Sequence, residues 1–349
     1  MLIKVKRILI ISVIISLILM SSCSSHPSLY ITDNNGMKTT SFMAMDTIMS
    51  FSIIDRNAGK KLQKAYEMVI AFDEAFSTHI QDSEAAQINN KAVNGVLISD
   101  ELLEQIQTAI KVSKMTDGAF DITVFPLVKL WGFYDGNYTV PIENSVFETL
   151  NQIGYEKIRL EKNMLYLEKG TQIDLGAIAK GYTGQKTAEL LMDFKVSSGI
   201  LSLGGNMQLF GLKPDGSLWN IAIQDPKDES KTIGIIPSTD CSIITSGSYQ
   251  RYFEQGGYIY HHILDPHTGY PADSGLVSVT VIADDGTYAD ALSTGLFVTG
   301  LEKAIEIWKE YQDFEAVFVT EDNYIYITEG LKDIFITESE YYQYEYVNK

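Results

Sequence analysis

The chain has 349 residues, 45% of them hydrophobic, and a formal net charge of −18. So acidic a chain lacks the basic footprint of nucleic-acid binding and the charge that would adsorb it to anionic lipid. Only two cysteines are present, which excludes a disulfide framework and a thiolate metal cluster.

At the start of the chain, Lys4, Lys6 and Arg7 precede an apolar run from Ile8 to Met20. This is the pattern of a secretory signal, and the run is short of the ~20 residues a spanning helix takes. LMSSC resembles the bacterial lipobox, with Met20 where leucine is usual. It predicts a signal over residues 1–22 and a lipidated Cys23 as the mature N-terminus. An ordinary cleaved signal and a retained short anchor are the alternatives. The expected product is a membrane-anchored, extracytoplasmic lipoprotein that meets the membrane through its lipid. Losing three cations takes its charge from −18 to −21. Residues 23–40 form a polar tether, and 41–349 form a single globular unit of one or two lobes. Cys241, the remaining thiol, fits a buried strand position.

Two helices follow from spacing. Leu62, Ala65, Val69, Phe72 and Phe76 recur at three and four residues, as do Leu103, Ile106 and Ile110 after a Ser99-Asp100-Glu101 start. MSFSII, GILSL, WNIAIQ, CSIIT, VSVTVI and AVFVT read as strands, and IRLEKNMLYLE as a hairpin turning at Lys162-Asn163. YADALSTGLFV and LEKAIEIWKEY read as helices, and EYYQYEYV as an edge strand or a frayed end. Mixed sheets with flanking helices and no βαβ rhythm give an α+β fold.

Three segments carry chemistry. In DGTYADALSTGLFVTG, helical spacing puts Asp290 and Thr294 on one face with Ser293 beside them. A carboxylate among hydroxyls suits Mg²⁺, although the same residues fit an exposed Asp and a threonine bonded to its own helix backbone. HHILDPHTGYP is a strand running into a turn. His261 and His262 point to opposite faces and cannot easily share an ion. One of them as a general base, or both as turn histidines, are the two readings. IDLGAIAKGY passes from a strand end through Gly176 into a helix carrying Lys180, offering backbone groups and one cation to a phosphate. LSLGGNMQLFG and TSGSYQRYF add glycine turns where backbone can approach a ligand.

Together these segments resemble the ApbE family, the FAD:protein FMN transferases. The matching runs, in order, are AMDTIM, STHIQDSEAAQIN, DGAFDITVFPLVKLWGF, IDLGAIAKGY, LSLGGN, ITSGSYQRYF, HHILDPHTG and SVTVIADDGTYADALSTG. The resemblance implies an ApbE-like α+β fold with FAD as substrate in an extended cleft. It implies Mg²⁺ held by Asp290, Ser293, Thr294 and the backbone oxygen of Ala177. FAD contacts are implied for Met45, His79, Ala119, Phe120, Asp121, Asp174, Lys180 and Leu264. His262 is implied as the base, with Lys180 assisting electrostatically. The implied reaction moves FMN from FAD to a threonine or serine hydroxyl of an extracytoplasmic flavoprotein, such as a redox-pump subunit, and releases AMP. Asp46, His79 and Ser248 depart from the family's common glycine, tyrosine and aspartate. Two other readings remain open at this point: hydrolysis of FAD to FMN and AMP, and a flavin-binding lipoprotein without turnover.

Overall fold

The computed structural model describes residues 31–32 and 36–349. The expected signal, Cys23 and most of the expected tether lie outside these residues. The tether's described part is not loose chain, because Ile31–Thr32 pairs with the start of Lys38–Ala44 in the large sheet.

Ten strands build one large sheet, in the order Ile31–Thr32, Lys38–Ala44, Thr47–Ile53, Gly199–Leu203, Asn206–Phe210, Ser242–Gly247, Leu276–Ala283, Glu315–Thr320, Tyr324–Thr328 and Gln343–Val347. All neighbours run antiparallel except the last pair. The tyrosine-rich tail is therefore an edge strand, the first of the two options its sequence left. Side chains alternate between the two faces, so each face has its own core. Val279 and Val281 pack with Leu292, Phe297 and Trp308 on the helical side. Val317 and Val319 pack with Ile221 and Ile236 on the other. That second face is covered by a three-stranded sheet of Trp219–Asp225, Asp228–Ser238 and Ile336–Thr337. Eight α-helices are described, and the fold is α+β in one globular unit.

The two helices read from spacing span Ala58–Phe76 and Asp100–Met115. Ser99 caps the second through its hydroxyl, which accepts from Leu102 N. Its buried stripe is Leu102, Ile106, Ala109 and Val112, turned slightly from expectation, with Leu103 and Ile110 only partly covered. The Lys162-Asn163 hairpin joins Ile158–Glu161 to Met164–Leu167. One expectation needs correction. Ile173–Ile178 contains no strand, because Asp174 N bonds Ile122 O at 2.7 Å across the chain instead of joining a ladder.

Gly286–Thr299 lies at the centre, with eleven of its fourteen residues buried. A helix apolar nearly all round is one that the core surrounds. Asp285 caps it, accepting from Thr287 N at 2.7 Å and Tyr288 N at 3.2 Å. Ala179–Asp193 packs across it at a glycine contact. A Cβ on Gly181 would stand 2.0 Å from Gly286 O, so no other residue fits there without separating the helices.

Candidate active site

The glycine contact brings the start of Ala179–Asp193 against Asp290. Asp290 is 4% exposed, which removes the reading of it as a solvent-facing helix residue. Its Oδ2 accepts from Gly181 N at 2.8 Å and its Oδ1 from the Asn206 amide at 3.0 Å. The third residue of a helix has no intrahelical partner for its N–H, so Asp290 caps the neighbouring helix with its negative charge at the positive end. Neither bonded group is a cation. Two carboxylate oxygens offer about four lone-pair positions, of which two are used.

Hydroxyls extend the cluster. Ser246 Oγ lies 2.8 Å from Ser293 Oγ and 3.0 Å from Thr294 Oγ1. Ser293 Oγ also donates to Asp290 O at 2.9 Å. Among the described residues, no three His, Cys, Asp or Glu side chains come together as a metal cluster. The donor set is thus one carboxylate and several neutral oxygens. This fits a hard ion that keeps waters or substrate oxygens in its shell, as Mg²⁺ does. Ala177 is half-buried in the turn just ahead of Ala179–Asp193, the helix whose Gly181 N–H bonds Asp290.

The hairpin tip at Met45 and Asp46 reaches the same helix, with Thr183 Oγ1 3.8 Å from Met45 Sδ. Both tip residues have positive φ, 49° and 57°. An aspartate tolerates that conformation through its short polar side chain, which accounts for Asp46 where glycine is common. Gly204, in the adjacent hairpin, leaves no room for a side chain against Thr47.

His262 stands at the end of the Tyr258–His261 strand. Its Nδ1 lies 3.1 Å from Arg251 O, and its backbone N donates to the same oxygen at 3.0 Å. A carbonyl can only accept, so Nδ1 carries the proton and Nε2 keeps its lone pair. Although half-buried, the ring has protein packed closely about it. That burial pushes its pKa down to about 4, reinforced by the charges of His261, Arg251 and Lys180 against the upward pull of the Arg251 carbonyl. The ring is neutral and ready to accept a proton at pH 7. His261 points the other way, as strand alternation predicts. Its Nε2 lies 3.0 Å from Ala272 O and its ring is edge-on to Phe297, a packing role.

Lys180 and Arg251 also act on Asp174, which places that carboxyl in the same electrostatic neighbourhood as His262. Burial raises the Asp174 pKa, opposed by the Gly176 N–H and by His79, Lys180 and Arg251. Lys180 Nζ donates to Gly176 O at 3.2 Å. His79 stacks on Tyr134 with ring centroids 4.2 Å apart and planes 4° from parallel. Asp121 Oδ1 accepts from Thr123 N and Oγ1, both at 2.7 Å, and burial raises its pKa. Ala119, Phe120, Asp121 and Leu264 are buried and offer a ligand little surface. Ser248 N bonds Val277 O at 3.1 Å, with no link to Asp290 or His262.

Asn206, Ser246, Arg251 and Tyr134 complete this site without having been singled out. The first three lie in segments whose glycines drew notice, and nothing local tells that Asn206 meets a carboxylate 84 residues away.

The ApbE family model matches residues 45–318. This chain belongs to the ApbE family. The FAD:protein FMN transferase of Treponema pallidum is 31% identical over 290 residues, covering 78% of this chain and 80% of that protein. The Vibrio cholerae enzyme of the same name is 36% identical over 242 residues, covering 67% and 72%. The crystal structure of the ApbE protein from Thermotoga maritima superposes with a TM-score of 0.81 at 32% identity, covering 85% of this chain and 99% of that one. The flavin transferase ApbE of Vibrio cholerae gives 0.78 at 28%, with the same coverage. The match takes in Met45, Asp174, Lys180, His262 and Asp290, each within residues 45–318.

Proposed function

We propose that this ApbE-family chain is an FAD:protein FMN transferase, acting on a threonine or serine hydroxyl and releasing AMP. The observation that carries the reading is the tautomer of His262, fixed by the Arg251 carbonyl with Nε2 left as a base.

An alcohol is a weak nucleophile at neutral pH, so a base that takes its proton as it attacks is worth about 10²–10⁴ in rate. In the proposed step the acceptor oxygen bonds to the FMN-side phosphorus. The bond from that phosphorus to the bridging oxygen breaks, and the oxygen leaves on AMP. His262 Nε2 takes the hydroxyl proton and returns it to solvent. Asp290, Ser293, Thr294 and the Ala177 carbonyl would hold Mg²⁺, which when bound supplies positive charge at the pyrophosphate oxygens. Lys180 adds a second positive charge nearby. A chain of net charge −18 needs such local neutralisation to accept an anionic dinucleotide. His79, stacked on Tyr134, offers a flat aromatic surface to a ring of FAD.

We also propose, from the signal and lipobox pattern of residues 1–23, that the domain lies outside the cytoplasm, tethered through Cys23. The test is incubation of the chain lacking residues 1–23 with FAD, Mg²⁺ and a threonine-bearing redox-pump subunit. An FMN-sized mass gain on the subunit with matching AMP is expected. AMP and free FMN without modified subunit would make the chain an FAD hydrolase, and bound FAD without products a binding protein.

A further inference from the structure

Next to His262, the hairpin of Tyr252–Gln255 and Tyr258–His261 forms a two-stranded sheet of its own. One of its faces is packed and aromatic. Phe253 stacks on Tyr260 at 5.3 Å, and Tyr260 meets Trp131 at 5.5 Å. Three tyrosines border this cluster from outside. Tyr138 stacks on Phe253 at 5.3 Å and is 41% exposed. Tyr270 sits edge-on to Trp131 at 5.7 Å and is 37% exposed. Tyr258 is two residues before Tyr260, hence on the same face, and is 70% exposed.

The aromatic base beneath these tyrosines reaches the site through buried rings. Phe253 lies 5.6 Å from Phe133, and Phe133 lies 6.5 Å from the His262 ring. Three exposed tyrosines around a packed aromatic cluster suit a broad partner better than a small molecule. Tyrosine gives large contact area at little conformational cost, and interfaces are enriched in it.

We propose that Tyr138, Tyr258 and Tyr270 form the docking surface for the acceptor protein, seating its hydroxyl against His262. The proposal rests on the transferase reading above. Both strands of the hairpin run directly into the groups that matter. Tyr252–Gln255 follows Arg251, and Tyr258–His261 precedes His262, so a partner seated here is held against the frame of the base.

The experiment measures FMN transfer to a flavin-free redox-pump subunit bearing an acceptor threonine, with acceptor and FAD varied separately. The variants are Tyr138→Ser/Tyr258→Ser/Tyr270→Ser together, and the same three changed to Phe. The serine variant should raise KM for the acceptor about tenfold or more, leaving kcat and FAD affinity near wild type. The phenylalanine variant should stay near wild type, because the contact is with the ring. An unchanged acceptor KM in a folded serine variant overturns the docking surface, and so does a fall in kcat alone. Absence of transfer by the wild type overturns the transferase reading itself, and the docking proposal with it.

Discussion

The carbonyl of Arg251 takes both N–H groups of His262, one from the backbone at 3.0 Å and one from the ring at 3.1 Å. Two bonds to one fixed oxygen hold the imidazole in a single tautomer and a single orientation. The ring proposed as the base is thus set by backbone geometry before any substrate arrives.

His262→Ala should therefore bind FAD as the wild type does and transfer FMN about a hundredfold to ten-thousandfold more slowly. Equilibrium binding of FAD and the rate of AMP release, measured on the same preparation, separate the two effects. Transfer at wild-type rate would remove His262 from the chemistry.

The pH dependence follows from the same ring. His262 has a pKa of about 4 when folded, against 6.5 ordinarily. Transfer should hold its rate as pH falls through 6.5 and decline only towards about 4. The unfolded chain binds more protons between these values. The contribution of His262 to stability is complete above about 6.5 and is lost as pH falls towards about 4. Urea titrations of wild type and His262→Ala across this interval should converge in their pH slopes if another group is responsible.

Asp290→Asn should abolish stabilisation by Mg²⁺ while keeping the fold. Differential scanning calorimetry with and without Mg²⁺ reads this without any turnover. The wild type should gain in Tm and the variant should not. Asp290→Ala goes further, leaving the Gly181 N–H and the Asn206 amide buried without their acceptor, at a cost of about 1–3 kcal/mol in urea unfolding.

Gly181→Ala should be costly out of proportion to one methyl group. Its Cβ would fall 2.0 Å from Gly286 O and 2.6 Å from Asp290 Cβ, so the helices must part. A loss of about 1–3 kcal/mol is expected, with transfer reduced because Asp290 moves. Gly184→Ala on the same helix meets the flexible Leu203 side chain at 3.2 Å and should cost less.

Cys23→Ser in the full chain should move the protein from the membrane fraction to the soluble one and stop incorporation of labelled fatty acid. Continued membrane association with no label would show that the apolar run from Ile8 to Met20 anchors the chain directly.

Periodicity carried much of this molecule. It placed Asp290, Ser293 and Thr294 on one helix and turned His261 away from His262, both as found. The ordered motifs carried the family. What stayed hidden was long-range pairing. Asn206 is an ordinary residue after two turn glycines until the fold sets its amide against Asp290. Arg251 contributes a backbone oxygen, which side-chain reading cannot see. The burial of Asp290 and the cover over Phe120 depend on the helix being enclosed on all sides. The polar residues of YADALSTG gave no sign of that.

That enclosure has a further consequence. Gly286–Thr299 cannot leave the core without exposing Leu292, Leu296 and Phe297, all fully buried. Its amides should exchange with solvent hydrogen only through opening of the whole domain. A substitution elsewhere that weakens the fold should then lower the amount of working protein in the cell and leave each surviving molecule with its full catalytic constant.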